Sequence, residues 1–301
     1  MSSPRDSAAA ASLRSSRPAA YWLEDAAQPR SLAALDGPDS ADLVVVGGGY
    51  LGLWTALLAK QRDAERDVLL LEAATCGHAA SGRNGGFCEA SLTHGFGNGL
   101  ARWPDEMDVL TTMGRENLDG IERTVEEFGI DCDFVRAGSL AVATAPYQVE
   151  GLREEYEQTR AHGMSTTWLD ADPLRERVDS PTFLAGVHDP DSAILEPARL
   201  AWGLRDACLA LGVRIAETTP ATGIARSGEG VTVETPVGPV HARRVVPAPK
   251  DPAVARGPEV VELVAEVGDP LAPTPADRLA LVGGERLGHQ RVVVDGHGHQ
   301  P

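Results

Sequence analysis

Long apolar runs are missing from this sequence. None approaches the eighteen or so residues that cross a bilayer, which speaks against a membrane partner. Basic residues are also in deficit. The 27 Lys and Arg against 44 Asp and Glu leave a net charge of −17, so the electrostatic footprint of a nucleic-acid binder is absent. The four cysteines (Cys76, Cys88, Cys132 and Cys208) are scattered and form no CxxC pair. Reduced thiols in a cytoplasm fit this pattern best. The first twenty residues lack a Leu/Val-rich core, so no secretory signal is expected; a disordered leader and an Arg/Ser-rich transit peptide both fit. Aromatic residues make up 5% of the chain, and none follows Trp202.

What is present describes a globular protein. The chain has 301 residues, 43% of them hydrophobic and 24% charged, which is enough for one large or two ordinary domains. After a leader at residues 1–40, in which Tyr21 to Ala26 could pack as a short helix, comes a β-α-β pattern. Leu43 to Val46 read as a strand buried on both faces, Leu51 to Gln61 as a helix, and Val68 to Leu71 as a second strand ending at Glu72. A long glycine-rich region follows, of the length that usually serves function or stays loose. Helices are expected over Asp105 to Phe128, Tyr147 to Gly163 and Glu196 to Gly212, with Gly129, Gly163 and Gly212 as stops. Strands are expected at Gly138 to Ala145, Val213 to Ala216, Gly223 to Arg226, Val231 to Thr235 and Val240 to Val246.

The chemistry concentrates in "VVVGGGYLGLWTA". Gly47, Gly49 and Gly52 stand in the spacing G-x-G-x-x-G between a strand and a helix. The first glycine permits the tight turn, the second lets a pyrophosphate approach the backbone, and the third allows close packing of helix on sheet. Phosphates then meet free N–H groups at the positive end of the helix. Glu72 closes the next strand, where a carboxylate can accept ribose hydroxyls and repels a 2′-phosphate, which disfavours NADP. NAD and FAD both fit this much; a glycine turn without ligand is the bland alternative.

A second glycine-rich turn, "ASGRNGGF", follows within about ten residues of Glu72. With "LLLEAATCGHAASGRNGG", "GSLAVAT", "EPARLAWGL" and "GVRI", it makes the sequence resemble the FAD-dependent oxidoreductases of the D-amino-acid oxidase type, over about Tyr21 to Val246. The resemblance implies an α/β fold: a Rossmann-like FAD-binding domain from residues 41–100 and 195–246, with an inserted, incomplete α+β substrate domain at 101–194. It implies FAD as cofactor and a small-molecule amine or amino acid as substrate. Gly47, Gly49 and Gly52 would hold the pyrophosphate, and Glu72 the adenosine ribose. Ser81, Gly82, Arg83 and Asn84 match the second cofactor loop. Arg83 could neutralise phosphate charge or serve in a loop salt bridge, and Gly85 and Gly86 could admit the isoalloxazine. His94 lies where relatives approach the flavin, as a pocket residue or a solvated loop histidine; no catalytic residue is otherwise singled out. His297 and His299 form an incomplete ligand set, so no metal is expected.

Beyond Val246 the pattern departs from the family. Residues 247–301 carry eight of the 21 prolines, and Pro247 and Pro249 stand where relatives place a small-residue turn. The expectation is an atypical, weakly ordered tail, arising if the ancestral reading frame was lost near Val246. The alternatives to a working amine oxidoreductase are a truncated, catalytically silent FAD-binding fragment and an NAD-dependent dehydrogenase.

Overall fold

The computed structural model describes residues 19–228 and 230–248. The chain opens on a short 3-10 helix, Tyr21–Glu24. It then alternates β1 (Asp39–Val46), α1 (Tyr50–Arg62) and β2 (Val68–Leu71). The glycine-rich region contains β3 (Phe87–Glu89) and α2 (Phe96–Arg102), followed by the long α3 (Met107–Phe128). Next come β4 (Ser139–Ala143), α4 (Pro146–Ala161), β5 (Thr167–Asp170), α5 (Ala171–Arg177), β6 (Ala185–Asp189) and β7 (Ser192–Ile194). Helix α6 (Pro197–Ala210) leads into β8 (Arg214–Ala216), β9 (Gly223–Ser227), β10 (Gly230–Thr235) and β11 (Gly238–Pro247).

The main sheet has the order β8-β2-β1-β11-β10-β9. Its first four strands run parallel, and β10 and β9 add antiparallel. The central strand β1 is buried from Val44 to Val46 because its two faces meet two cores. Val45, with Val68 and Leu70, packs under α1 and α6 beside Leu53, Leu57 and Leu204. Val44 and Val46 pack on the other side with Leu69, Leu71, Val233 and Val240. Strand residues alternate between these faces with period two. Each fully buried leucine contributes about 1.5–3 kcal/mol. Strands distant in sequence thus complete one sheet.

Between β3 and α6 lies a separate three-stranded sheet in the order β4-β6-β5. A β3–β7 ribbon pairs Phe87 with Ile194. The stretch 167–194 carries β5, α5, β6 and β7, none of which the sequence announces. Helix α3 ends at Gly129 in the left-handed conformation, as its position implied.

The expectation of a loose leader fails for residues 19–40, which are tied to the body by specific bonds. Trp22 Nε1 donates to the Asn84 carbonyl at 2.8 Å, and Asp25 pairs with Arg199 at 2.8 Å. Leu32 N–H donates to Glu217 at 2.7 Å and Leu35 N–H to Thr219 Oγ1 at 3.0 Å. A polar, alanine-rich segment gives no apolar period, yet backbone donors and a few side chains suffice to dock it. Residues 1–18 and 249–301, which include His297, His299 and most of the expected tail, lie outside the described residues. Pro247 continues β11 opposite Val46, and the Ala248 N–H still donates to the Val46 carbonyl at 2.7 Å. Among the described residues no helix is long and apolar enough to cross a membrane.

Candidate cofactor site

The site is built at the C-terminal end of β1. Gly47 has φ +116°, a conformation side chains rarely adopt, and its N–H donates to the Leu71 carbonyl at 2.8 Å. The chain thereby turns sharply off the strand, and α1 starts three residues later with Gly49 as its N-cap. Gly52 is where the helix is pressed against that turn. A Cβ there would stand 1.9 Å from the Gly47 carbonyl oxygen. The middle glycine, which the spacing leaves unspecified, is confined as well. A Cβ on Gly48 would come within 2.8 Å of Cys76 Sγ and 3.1 Å of the Glu72 side chain.

The Glu72 carboxylate faces this mouth. One oxygen accepts the Gly48 N–H at 2.6 Å and the other the Ala74 N–H at 2.8 Å. Each oxygen keeps a further acceptor site. Among the described residues the N–H groups of Gly49, Leu51 and Gly52 take no partner; these belong to the donors that a helix start leaves unsatisfied. Three main-chain donors are thus left for an anion, with an acid one strand away.

The second glycine-rich turn closes over the first. Ser81 Oγ accepts the Tyr50 N–H at 3.0 Å and retains its own proton to donate. Gly82 lets this turn approach closely, since a Cβ would lie 2.3 Å from the Gly77 carbonyl oxygen. Asn84 is engaged within the turn: Nδ2 donates to the Ser81 carbonyl at 2.8 Å, and Oδ1 accepts the Gly86 N–H at 2.9 Å. Arg83 is exposed and donates from Nε to the His78 carbonyl at 2.7 Å, without a carboxylate partner among the described residues. Gly85 is exposed. Gly86 has φ +77°, and a Cβ on it would meet the Leu195 carbonyl oxygen at 2.1 Å. Protein backbone therefore already accounts for this second glycine.

His94 is exposed with φ +55°, and its neighbours Thr93 and Gly95 line the cavity beside it while its own side chain does not. An exposed imidazole on this loop is the solvated-loop alternative. Among the described residues no group of three or more potential ligands could hold a metal.

A residue not foreseen from sequence holds the site's floor. Glu217 is fully buried. Its carboxylate accepts the Cys76 N–H at 2.8 Å and the Leu32 N–H at 2.7 Å, with Arg205 Nη1 3.8 Å away. Burial pushes its pKa up, but the two backbone donors outweigh this and hold the carboxyl below its ordinary value. The neighbouring backbone extends the clamp: Thr219 N–H donates to the Glu72 carbonyl at 2.8 Å and Glu72 N–H to the Ala216 carbonyl at 2.9 Å. The one sequence signal was positional. Glu217 follows β8 as Glu72 follows β2, on adjacent parallel strands.

With that geometry in hand, comparison with known proteins is informative. Residues 42–290 match the family of FAD dependent oxidoreductases, running past Val246. The chain belongs to this family. Among curated relatives it is 32% identical over 232 residues to gamma-glutamylputrescine oxidoreductase of Escherichia coli, covering 76% of this chain and 53% of that protein. It is 29% identical over 233 residues to a probable oxidoreductase, OrdL, of Haemophilus influenzae, covering 75% and 52%. The chain spans about half the length of the curated relatives it matches. Glycine oxidase from Geobacillus kaustophilus superposes with a TM-score of 0.61 at 22% identity, over 76% of this chain and 59% of that one. L-proline dehydrogenase from P. horikoshii gives 0.59 at 19%, over 72% and 54%. These superpositions bear on the fold, which is the mixed α/β arrangement of FAD-dependent oxidases.

Proposed function

We propose that the chain holds FAD by its ADP half and belongs to an oxidoreductase acting on the C–N bond of a small amine or amino acid. The observation that carries the reading is the helix mouth, with free N–H groups at Gly49, Leu51 and Gly52 and the Glu72 carboxylate beside it. Family membership and the printed activities of relatives support it: a gamma-glutamylputrescine oxidoreductase, a dimethylglycine dehydrogenase and a 4-methylaminobutanoate oxidase.

The residues fit the cofactor in kind. The main-chain donors and the α1 dipole would take the pyrophosphate. Glu72 would accept the adenosine ribose hydroxyls through the lone pairs its loop bonds leave free. Ser81 would donate its hydroxyl to a phosphate oxygen, Asn84 would fix the turn that presents it, and Arg83 would supply positive charge from the rim. Gly82, Gly85 and Gly86 keep that turn low and close. Bound there, FAD supplies a two-electron acceptor for the hydride that leaves the carbon bearing the amine. The protein's share of that reaction is alignment of the C–H bond and exclusion of water. A cytoplasmic setting belongs to the same reading, supported by four cysteines that are all unpaired.

A chain that holds FAD without turnover is the second reading, favoured by its span of about half its relatives' length. One experiment separates them. The FAD-loaded chain is mixed anaerobically with a panel of amines and amino acids while flavin absorbance is recorded. Substrate-dependent bleaching supports the oxidoreductase; a bound flavin that no compound bleaches supports the silent binder.

A further inference from the structure

A cavity of about 200 Å³ lies between α2, α3, α4 and the β4-β6-β5 sheet, away from the glycine turns. Four carboxylates line it, Glu89, Glu155, Asp189 and Asp191, against one guanidinium, Arg115. That guanidinium is already committed: Nε donates to Asp191 at 2.8 Å and Nη2 to the Gly163 carbonyl at 3.0 Å. The other Asp191 oxygen accepts Arg136 at 3.0 Å. Glu89 and Glu155 have no basic partner among the described residues.

The acids alone would be only a charged rim, but the wall behind them holds an unused hydroxyl. Thr111 on α3 is 9% exposed and lines the cavity. Its Oγ1 makes no hydrogen bond among the described residues, and it is not sealed from small molecules. By contrast, the other buried threonines here are engaged: Thr159 with Thr166 at 3.0 Å, and Thr93 with the Gly95 carbonyl at 3.0 Å. Its oxygen is reached from the cavity, so a ligand polar group can take the place of water there. The remaining wall is aromatic and aliphatic, with Phe96, Tyr156, Met107, Leu110 and Leu152. Ring faces attract cations and methylenes pack on the rest.

We propose that this cavity binds an aliphatic amine cation, a short diamine rather than an amino acid. The Thr111 hydroxyl accepts from one ammonium group, the apolar wall packs the methylenes, and Glu155 and Glu89 hold the second ammonium at the rim. A carboxylate-bearing ligand would meet uncompensated negative charge and no free guanidinium. As a statement about substrate this rests on the amine-oxidising reading above; as a binding site it stands on the cavity alone, so the test reads binding without flavin chemistry.

The experiment is calorimetric titration of the full chain with butane-1,4-diamine and with 4-aminobutanoate, which exchanges one ammonium for a carboxylate. The diamine is expected to bind at least tenfold more tightly. Thr111→Val and Glu155→Gln should each weaken it three- to tenfold, and Thr111→Ser should restore it, with FAD affinity unchanged throughout. Circular dichroism identifies any variant that fails to fold, and Glu155→Gln, at an exposed position, then carries the test. Equal binding of the two ligands, no diamine binding at millimolar concentration, or a folded Thr111→Val or Glu155→Gln chain that binds as the parent does would overturn the proposal.

Discussion

Substituting Gly52 by Ala tests how the helix mouth is made. The added methyl carbon would stand 1.9 Å from the Gly47 carbonyl oxygen and 3.3 Å from Val45 Cγ1. An ordinary contact needs about 3.5 Å, so the start of α1 must retreat from the turn by roughly 1.6 Å along that line. The turn cannot follow, because Gly47 N–H is fixed to Leu71 and Gly48 to Glu72. Forced overpacking of this kind costs about 1–3 kcal/mol. The same retreat misaligns N–H groups meant for a phosphate, and one lost charge-assisted bond is worth about 1.5–3 kcal/mol. FAD affinity should therefore fall about ten- to a hundredfold. The assay is quenching of FAD fluorescence on titration with the chain, alongside thermal unfolding. Gly151→Ala, at a helical position with nothing within 4 Å, is the matched control. A Gly52→Ala protein that binds FAD as tightly as the parent would refute the reasoning, since it would mean the close approach has no part in the site.

Gly151→Ala itself should raise stability by about 0.5–1 kcal/mol in denaturant titration, because alanine loses less entropy in a helix. Glu217 has a depressed folded-state pKa, so its stabilisation is present above the unfolded-state value and is lost as pH falls through the folded one. Glu217→Gln should therefore destabilise the chain at neutral pH and flatten the acid limb of its stability profile. Burial pushes the Cys132 thiol up to about 11 and Cys208 to about 12, and raises Cys76 and Cys88 as well. Iodoacetamide at pH 7.5 should thus label the folded chain slowly and all four cysteines after denaturation, read by mass spectrometry. Arg136 bridges Asp119, Glu122 and Asp191. Arg136→Ala should cost about 1–3 kcal/mol, and the loss should shrink in high salt.

The parts legible in sequence were those written in local rules. Three glycines in a fixed spacing, an apolar run before them and an acid closing the next strand specified β1, α1, β2 and the orientation of Glu72, because each follows from local sterics and periodicity. Long helices with glycine stops were equally legible. Strands β5 to β7 were not: "AGVHD" carries no alternation, and its place depends on pairing with β4 and β5 across the chain. Residues 19–40 are held by backbone donors reaching Glu217 and Thr219, some 185 positions away. No window of sequence carries that. Gly86 and His94 show the limit of transfer by resemblance. Both were placed from a motif alone, and the backbone decides that one is packed by Leu195 and the other faces solvent.

The central claim is that main-chain donors at the α1 mouth and the Glu72 carboxylate grip the ADP half of FAD. Titrating FAD into the purified chain, with ADP as competitor and Glu72→Ala alongside, measures this directly. The account predicts saturable binding that ADP displaces and that Glu72→Ala weakens at least tenfold. Binding that ADP leaves untouched, or that persists at full strength without the carboxylate, would contradict it.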